Sequence, residues 1–279
     1  MLDIKEIEIS KKRIDTLYRK SSIPTEDESE GFVVAKCGQS SALGVVYGGY
    51  IHLIRDTIEF QNIQPRDKEQ ICLLYALQEF DLIVGLGPAG TGKTTLAIAY
   101  AMHQLFKKDK RVVLIKPTVF VGGSSNAIAA VPGDSREKLS PYVESFMGPL
   151  EKVLGDHMEH HLYELESQKK LIFSALELIR GMDFQDTVVI LDEAQNASLH
   201  ELLSLISRVG EGGTCILLGD LMQIDTEAHW SSCGLYTLVN TEAFTRSDLT
   251  AGVTLNKQYR GPLAALAQDI LVETFEEEC

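Results

Sequence analysis

Apolar residues along this chain fall into short runs whose spacing changes with position. Residues 1–30 are polar and charged and end in Thr25-Glu-Asp-Glu-Ser-Glu30, a solvated linker or loop. The basic cluster Lys11-Lys12-Arg13, followed by Arg19-Lys20, reads as one face of a short exposed helix. From Gly31 to Ile54 the runs Phe32-Val-Val, Gly44-Val-Val-Tyr and Tyr50-Ile-His-Leu-Ile are β-prone and separated by Gly and Ser, which predicts a small hairpin-containing element. After Pro65 the spacing turns helical over Glu69 to Phe80. Beyond it, apolar strands are expected at Leu82–Val84, Val112–Ile115, Val188–Leu191, Cys215–Leu218 and Val253–Leu255. Helices are expected at Thr94–Leu105, at Ser198–Val209 behind the capping box Ser198-x-x-Glu201, and at Pro262–Val272. Continuously apolar strands alternating with helices predict an α/β fold, a parallel sheet covered by helices on both faces. The expected division is an N-terminal helix and hairpin extension over residues 1–60 and an α/β domain over residues 61–279.

Composition narrows the class. The chain has 279 residues, 44% hydrophobic and 24% charged, which excludes disordered, collagenous and disulfide-scaffold proteins. No apolar run approaches the ~18–20 residues of a membrane helix, and the N-terminus is charged, so a cytoplasmic protein without a membrane partner is expected. A net charge of −14 argues against a protein that coats duplex phosphates. It leaves room for a narrow nucleic-acid channel lined by backbone amides and a few Lys and Arg. The five cysteines form no C-x-x-C pair, and Cys72 and Cys215 lie in apolar stretches as buried thiols of a reducing compartment.

The chemistry starts at Gly87-Pro88-Ala89-Gly90-Thr91-Gly92-Lys93-Thr94, a complete G-x-x-x-x-G-K-[ST] between a strand and a helix. Its glycines let the backbone wrap phosphates, its amides point at the anion, and the next helix adds its positive N-terminal end. Lys93 is expected to bridge the β- and γ-phosphates, with Thr94 ligating Mg²⁺ and Thr95 beside it. The overlapping Gly85-x-Gly87-x-x-Gly90 fits a dinucleotide fingerprint, but the next strand ends in Lys116-Pro117 where an acidic residue is needed. On the strand Val188–Leu191, Asp192 can hold the metal opposite Thr94, and Glu193 can orient and deprotonate the attacking water. The following strand delivers Gly219-Asp220-Leu-Met-Gln223, with Gln223 as candidate γ-phosphate sensor. Arg260, after the fifth strand, can neutralise charge on the transferring phosphoryl group. Gln70, on the helix ahead of the first strand, can donate to and accept from an adenine edge. His157, His160 and His161 invite a metal reading, yet without a Cys cluster or H-E-x-x-H they read as an exposed amphipathic helix.

Together with Val131-Pro-Gly-Asp134, Lys138, Pro141-Tyr142, Ile179-Arg-Gly181, Asp192-Glu-Ala-Gln-Asn196 and Gly219-Asp220…Gln223-Ile-Asp225, these motifs resemble a PhoH-like ATPase over roughly residues 61–272. The resemblance implies a single RecA-like P-loop NTPase core related to superfamily 1 helicases. It also implies ATP and Mg²⁺ as cofactors, an RNA or single-stranded nucleic-acid partner, and helicase-like remodelling. In relatives fused to a PIN nuclease an Arg stands at the position of Arg260, and the family carries a Gln at that of Gln70. Nothing before residue 60 resembles the PIN nuclease, so its RNase activity is not expected. Lys116-Pro117 departs from the family's frequent Arg-Pro and sets a lysine at the place of that Arg. The compact, acidic form also resembles copies carried by bacteriophages.

A two-core helicase takes its arginine from the second core. With one core, either a neighbouring copy completes the cleft, which makes a homo-oligomer such as a hexameric ring, or Arg260 acts in cis. Nucleic-acid contacts are expected in the loop Thr118–Ala130 and the segment 132–145. Two alternatives share the loop: a kinase, which would need an acceptor pocket, and a slowly hydrolysing, nucleotide-gated switch that signals by assembly.

Overall fold

The computed structural model describes residues 4–25, 31–38, 40–54, 63–117, 135–222 and 233–276. Its larger sheet runs β11-β6-β10-β9-β7-β8, with every neighbouring pair parallel. The strands are β6 (Leu82–Leu86), β7 (Arg111–Lys116), β8 (Leu171–Ala175), β9 (Thr187–Leu191), β10 (Thr214–Gly219) and β11 (Thr250–Thr254). β9 and β10 are buried at every residue, as strands covered on both faces must be. One face carries helices Lys68–Glu79, Lys93–Lys108 and Ser135–Leu154 around Leu73, Met102, Phe146 and Leu150. The other face carries Leu199–Ile206 and Gly234–Val239 around Leu202, Leu205 and Leu235. This is the α/β architecture, a parallel sheet covered by helices on both faces, that the strand–helix alternation predicts.

Several elements depart from what the sequence pattern predicts. The sheet has a sixth strand, β8, which pairs with β7 at the edge and leaves Ile172 and Phe173 only partly buried. The helix Ser135–Leu154 contains Pro141 and Gly148, both unfavourable in a helix interior. Burial of Phe146, Leu150 and Val153 against the core outweighs them. β11 also starts earlier than its apolar residues suggest, because Thr250 and Gly252 are drawn into the ladder by β6.

The N-terminal element is larger than a hairpin. β1 (Lys5–Glu8), β2 (Ser22–Pro24), β3 (Gly31–Cys37), β4 (Ser40–Tyr47) and β5 (Tyr50–Leu53) form a five-stranded sheet in the order β1-β3-β4-β5-β2. The helix Lys11–Lys20 packs Ile14 and Leu17 onto Val33, Val46 and Ile51 of one face and keeps its basic residues exposed, as expected. From the opposite face Phe32 and Val45, register partners, join the core beside Leu73 and Leu77. The Phe32 ring meets Tyr75 edge-on at 6.2 Å. The edge strands are too short and polar to carry a periodic signal, and their pairing with β3 and β5 makes them strands. Among the described residues, no helix is long and apolar enough to cross a membrane.

Candidate nucleotide-binding site

The parallel strands all point their carboxyl ends to one edge, where ligands of open α/β sheets lie. Gly87–Thr94 joins β6 to the helix Lys93–Lys108, whose first turn sits at that edge. Gly87 has φ +134°, and a Cβ there would stand 1.9 Å from the Leu255 carbonyl oxygen; any side chain would push β6 and β11 apart. Gly90 and Gly92 also have positive φ, and Cβ atoms on them would meet the Arg260 stem at 2.6 Å and the Gln70 amide at 2.9 Å. The loop is therefore glycine-rich for two reasons, its left-handed backbone and the side chains pressed against it. Thr91 is fully buried and its hydroxyl donates to the Pro88 carbonyl at 3.1 Å. Lys93, also buried, donates to the carbonyls of Gly87 and Pro88. Burial lowers the Lys93 pKa, opposed by the carboxylates of Asp220, Asp192 and Glu193.

The acids arrive on neighbouring strands. Asp192 follows β9, is 8% exposed, and both its oxygens stand 3.3 Å from the Thr94 hydroxyl. Burial raises its pKa, with Lys116 at the end of β7 acting in the other direction. The Lys116 ammonium is 3.8 Å from Asp192 and 3.8 Å from Glu193. Glu193 takes a left-handed conformation at φ 57°, uncommon for a non-glycine residue. Its carboxylate accepts from the Gln195 amide at 2.8 Å. Asp220, after β10, is 5% exposed, and burial raises its pKa while the Met222 N–H and Lys93 oppose that. One of its oxygens accepts from Met222 N at 3.0 Å; the other has no hydrogen-bond partner among the described residues.

A strap after β11 closes the loop's far side. Tyr259 N donates to the Gly90 carbonyl at 2.9 Å, which lays the Arg260 stem on Gly90 of the same chain. Glu69 accepts from Asn256 N at 2.7 Å, Asn256 Nδ2 at 3.0 Å and Lys257 N at 3.3 Å. The Tyr259 hydroxyl donates to Asp67, and the Arg66 guanidinium stands 5.0 Å from the Tyr259 ring centroid. Gln70 is 4% exposed; its carbonyl accepts from Arg66 N at 2.8 Å and its amide donates to the Thr91 carbonyl at 2.8 Å. These two bonds use one of its two N–H groups and one of its two lone pairs. Gln70, Ala89, Gly90, Gly92, Lys93, Thr94, Thr95, Asp192, Glu193, Asp220, Tyr259 and Arg260 line one cleft of about 1170 Å³.

The family of PhoH-like proteins matches residues 62–270. The chain belongs to that family. It is 32% identical to protein PhoH2 of Bacillus subtilis over 96% of this chain and 63% of that protein. It is 39% identical to a PhoH-like protein of the same organism, over 71% of this chain and 60% of that one. Similarity to protein PhoH2 of Mycolicibacterium smegmatis is 30% over 96% and 62%. The chain thus spans about three-fifths of the length of these curated relatives. Among solved structures, the Pif1 helicase of Candida albicans overlays 73% of this chain and 42% of its own at a TM-score of 0.37 and 17% identity.

In this PhoH-like chain the tertiary structure gathers Gln70, Ala89, Gly90, Gly92, Lys93, Thr94, Thr95, Asp192, Glu193 and Arg260 around the cleft, whereas Gly87, Pro88 and Thr91 do not line it. Gln223 lies outside the described residues, as do Thr118–Ala130 and Val131–Asp134. The segment from Ser135 is the start of a helix whose Ser145, Gly148, Pro149 and Lys152 reach the cleft wall. Tyr259, Arg66, Asp220, Lys116 and Gln195 join the site without a role that sequence pattern alone assigns them. Asp220 had a usable signal, an acid ending an apolar strand just as Asp192 does. In the histidine segment His157 ends a 3₁₀ turn (Gly155–His157), and His160, exposed, and His161, half-buried, lie on the helix Met158–Ser167, which buries Leu162 and Leu165. Among the described residues no cluster of three or more His, Cys, Asp or Glu could hold a metal.

Proposed function

We propose that the chain is a Mg²⁺-dependent ATPase whose hydrolysis is coupled to binding or remodelling of RNA or another single-stranded nucleic acid. The observation that supports it is the convergence, on one cleft, of a P-loop lysine, a strand-end Asp-Glu pair and an arginine of the same chain. The Thr94 hydroxyl and the buried Asp192 carboxylate offer hard oxygen donors directed at each other, 3.3 Å apart. That set fits Mg²⁺, which uses one or two protein oxygens and completes its shell with phosphate and water, so a cluster of three acids is not required. The bound ion would supply charge neutralisation on the phosphates.

Lys93 would exchange its loop carbonyls for phosphate oxygens. Glu193 would accept the proton of a water whose oxygen attacks the γ-phosphorus in line, as the bond to the β,γ-bridging oxygen breaks. Arg260, lying over Gly90, would neutralise the charge that develops on the transferring group. A base would meet Tyr259, Arg66 and Gln70, with Gln70 also fixing the loop through Thr91. The nucleic-acid partner is supported by the family resemblance. Since Arg260 reaches the loop in cis, a second copy is not needed to supply the arginine; a homo-oligomer, including a hexameric ring, would cover the exposed side of that residue.

The test is steady-state ATP hydrolysis by the parent and by Glu193→Gln, each with and without single-stranded RNA. We expect the variant to bind ATP but turn over about 10²- to 10⁴-fold more slowly, and the parent to accelerate with RNA. Undiminished turnover in Glu193→Gln removes the assignment of the base, and hydrolysis indifferent to RNA removes the coupling.

A further inference from the structure

Gln195 occupies a place that the water-activation chemistry does not by itself explain. It is 2% exposed, in a short 3₁₀ turn (Ala194–Asn196), and its side-chain tip spans two strand ends. Nε2 donates to Glu193 Oε2 at 2.8 Å, and Oε1 accepts from the backbone N–H of Asp220 at 3.1 Å. The turn is fixed from behind, where the buried Cys233 thiol donates to the Gln195 carbonyl at 3.3 Å. Gly219 leaves the space for this crossing: a Cβ there would lie 2.9 Å from Gln195 Oε1 and 3.2 Å from Gln195 N.

The chemistry of the side chain is specific. A primary amide carries a donor and an acceptor at the same tip; Glu lacks the donor, Met lacks both, and Asn is a methylene too short to reach from this turn. Glu193 needs such a partner. A free glutamate loses rotamer entropy when fixed, and the Lys116 ammonium beside this carboxylate stands at 3.8 Å, beyond hydrogen-bond length. We propose that Gln195 is a positioning residue that fixes the Glu193 carboxylate relative to the end of β10, so that the base stays in register with the strand leading to Asp220. The inference rests on the reading of Glu193 as base.

Three variants test it: Gln195→Met, which removes both bonds, Gln195→Glu, which keeps the acceptor for Asp220 N–H and, read at a pH where its carboxyl is ionised, loses the donor, and Glu193→Gln. Turnover, ATP affinity measured with a fluorescent ATP analogue, and melting temperature are read for each. We expect Gln195→Met and Gln195→Glu to lower kcat about 10- to 100-fold, the loss that displacement of a catalytic group by about 1 Å produces. ATP affinity should stay within about threefold, because neither bond touches the nucleotide-binding loop. In a Glu193→Gln background the same Gln195→Met change should cost less than about threefold more, as expected of residues that act as one unit. Gln195→Glu preserves size and carries the test if Gln195→Met does not fold. The proposal is overturned by a kcat within threefold of the parent in either variant. A parallel loss of kcat and ATP affinity, or an undiminished effect in the Glu193→Gln background, overturns it equally. If Glu193→Gln alone leaves kcat unchanged, the base assignment itself has failed, and that result is distinct from the others.

Discussion

At the scale of single residues, the P-loop glycines show how closely a site can be specified by what is missing. Gly87→Ala would set a methyl group 1.9 Å from the Leu255 carbonyl oxygen at a φ of +134°. Left-handed strain alone costs about 1–3 kcal/mol, so the variant should lose at least about 2 kcal/mol in denaturant unfolding and bind ATP poorly. A Gly87→Ala protein of parental stability would refute the close approach of loop and β11. The cysteines give a second residue-level expectation. Cys37 is partly exposed, whereas Cys72, Cys215 and Cys233 are buried. Burial pushes the Cys215 thiol up to about 12, and burial together with Glu69 and Asp67 raises that of Cys72 further. Thiolate is the reactive form, so alkylation at pH 8 followed by peptide mapping should modify Cys37 in the native protein and spare Cys72 and Cys215 until it unfolds.

At the scale of elements, the strap over residues 255–260 connects the start of the helix Lys68–Glu79 to the P-loop. Glu69 anchors it by three hydrogen bonds to Asn256 and Lys257, and Tyr259 pins it to Asp67 and Gly90. Glu69→Ala removes the anchor without touching the cleft. Hydrogen bonds to a charged group are worth about 1.5–3 kcal/mol each when buried, less at this exposed site, so a stability loss of about 1–2 kcal/mol is expected. If the strap holds Arg260 over the loop as proposed, kcat should fall several-fold beyond what the stability loss explains. An unchanged kcat would show that Arg260 finds its place without the strap.

At the scale of the whole molecule, the question is whether one chain completes its own site. Arg260 lies on Gly90 of its own loop, so Arg260→Ala and Glu193→Gln subunits, each expected to lose turnover on the proposed mechanism, should gain none when mixed and reannealed. Recovery of turnover in the mixture would show that the arginine works across an interface between copies. The N-terminal sheet and the α/β sheet are proposed as two parts divided near residue 60, yet they share a core through Phe32, Val45 and Ile54.

The parallel sheet was legible because buried strands of the Val-Val-Leu-Ile type alternate with helices, and the P-loop because its chemistry dictates both residue type and spacing. β8 and the helix Ser135–Leu154 were not, since an apolar run as short as Leu171-Ile-Phe does not by itself distinguish strand from helix, and a Pro-containing helix reads as broken until Phe146 and Leu150 are seen to be buried. The β1 and β2 edges owe their existence to partners far along the chain.

What the sequence determined by itself is local: the Gly87–Thr94 loop, the acids ending an apolar strand, and the class of fold that such alternation requires. What only the tertiary structure decided is which distant groups share the cleft. Lys116 between Asp192 and Glu193, Gln70 under the Thr91 carbonyl, Arg260 on Gly90 and Gln195 between two strand ends depend on strand order. Strand order is set by packing and register among segments distant in the chain, and a local pattern carries no record of it.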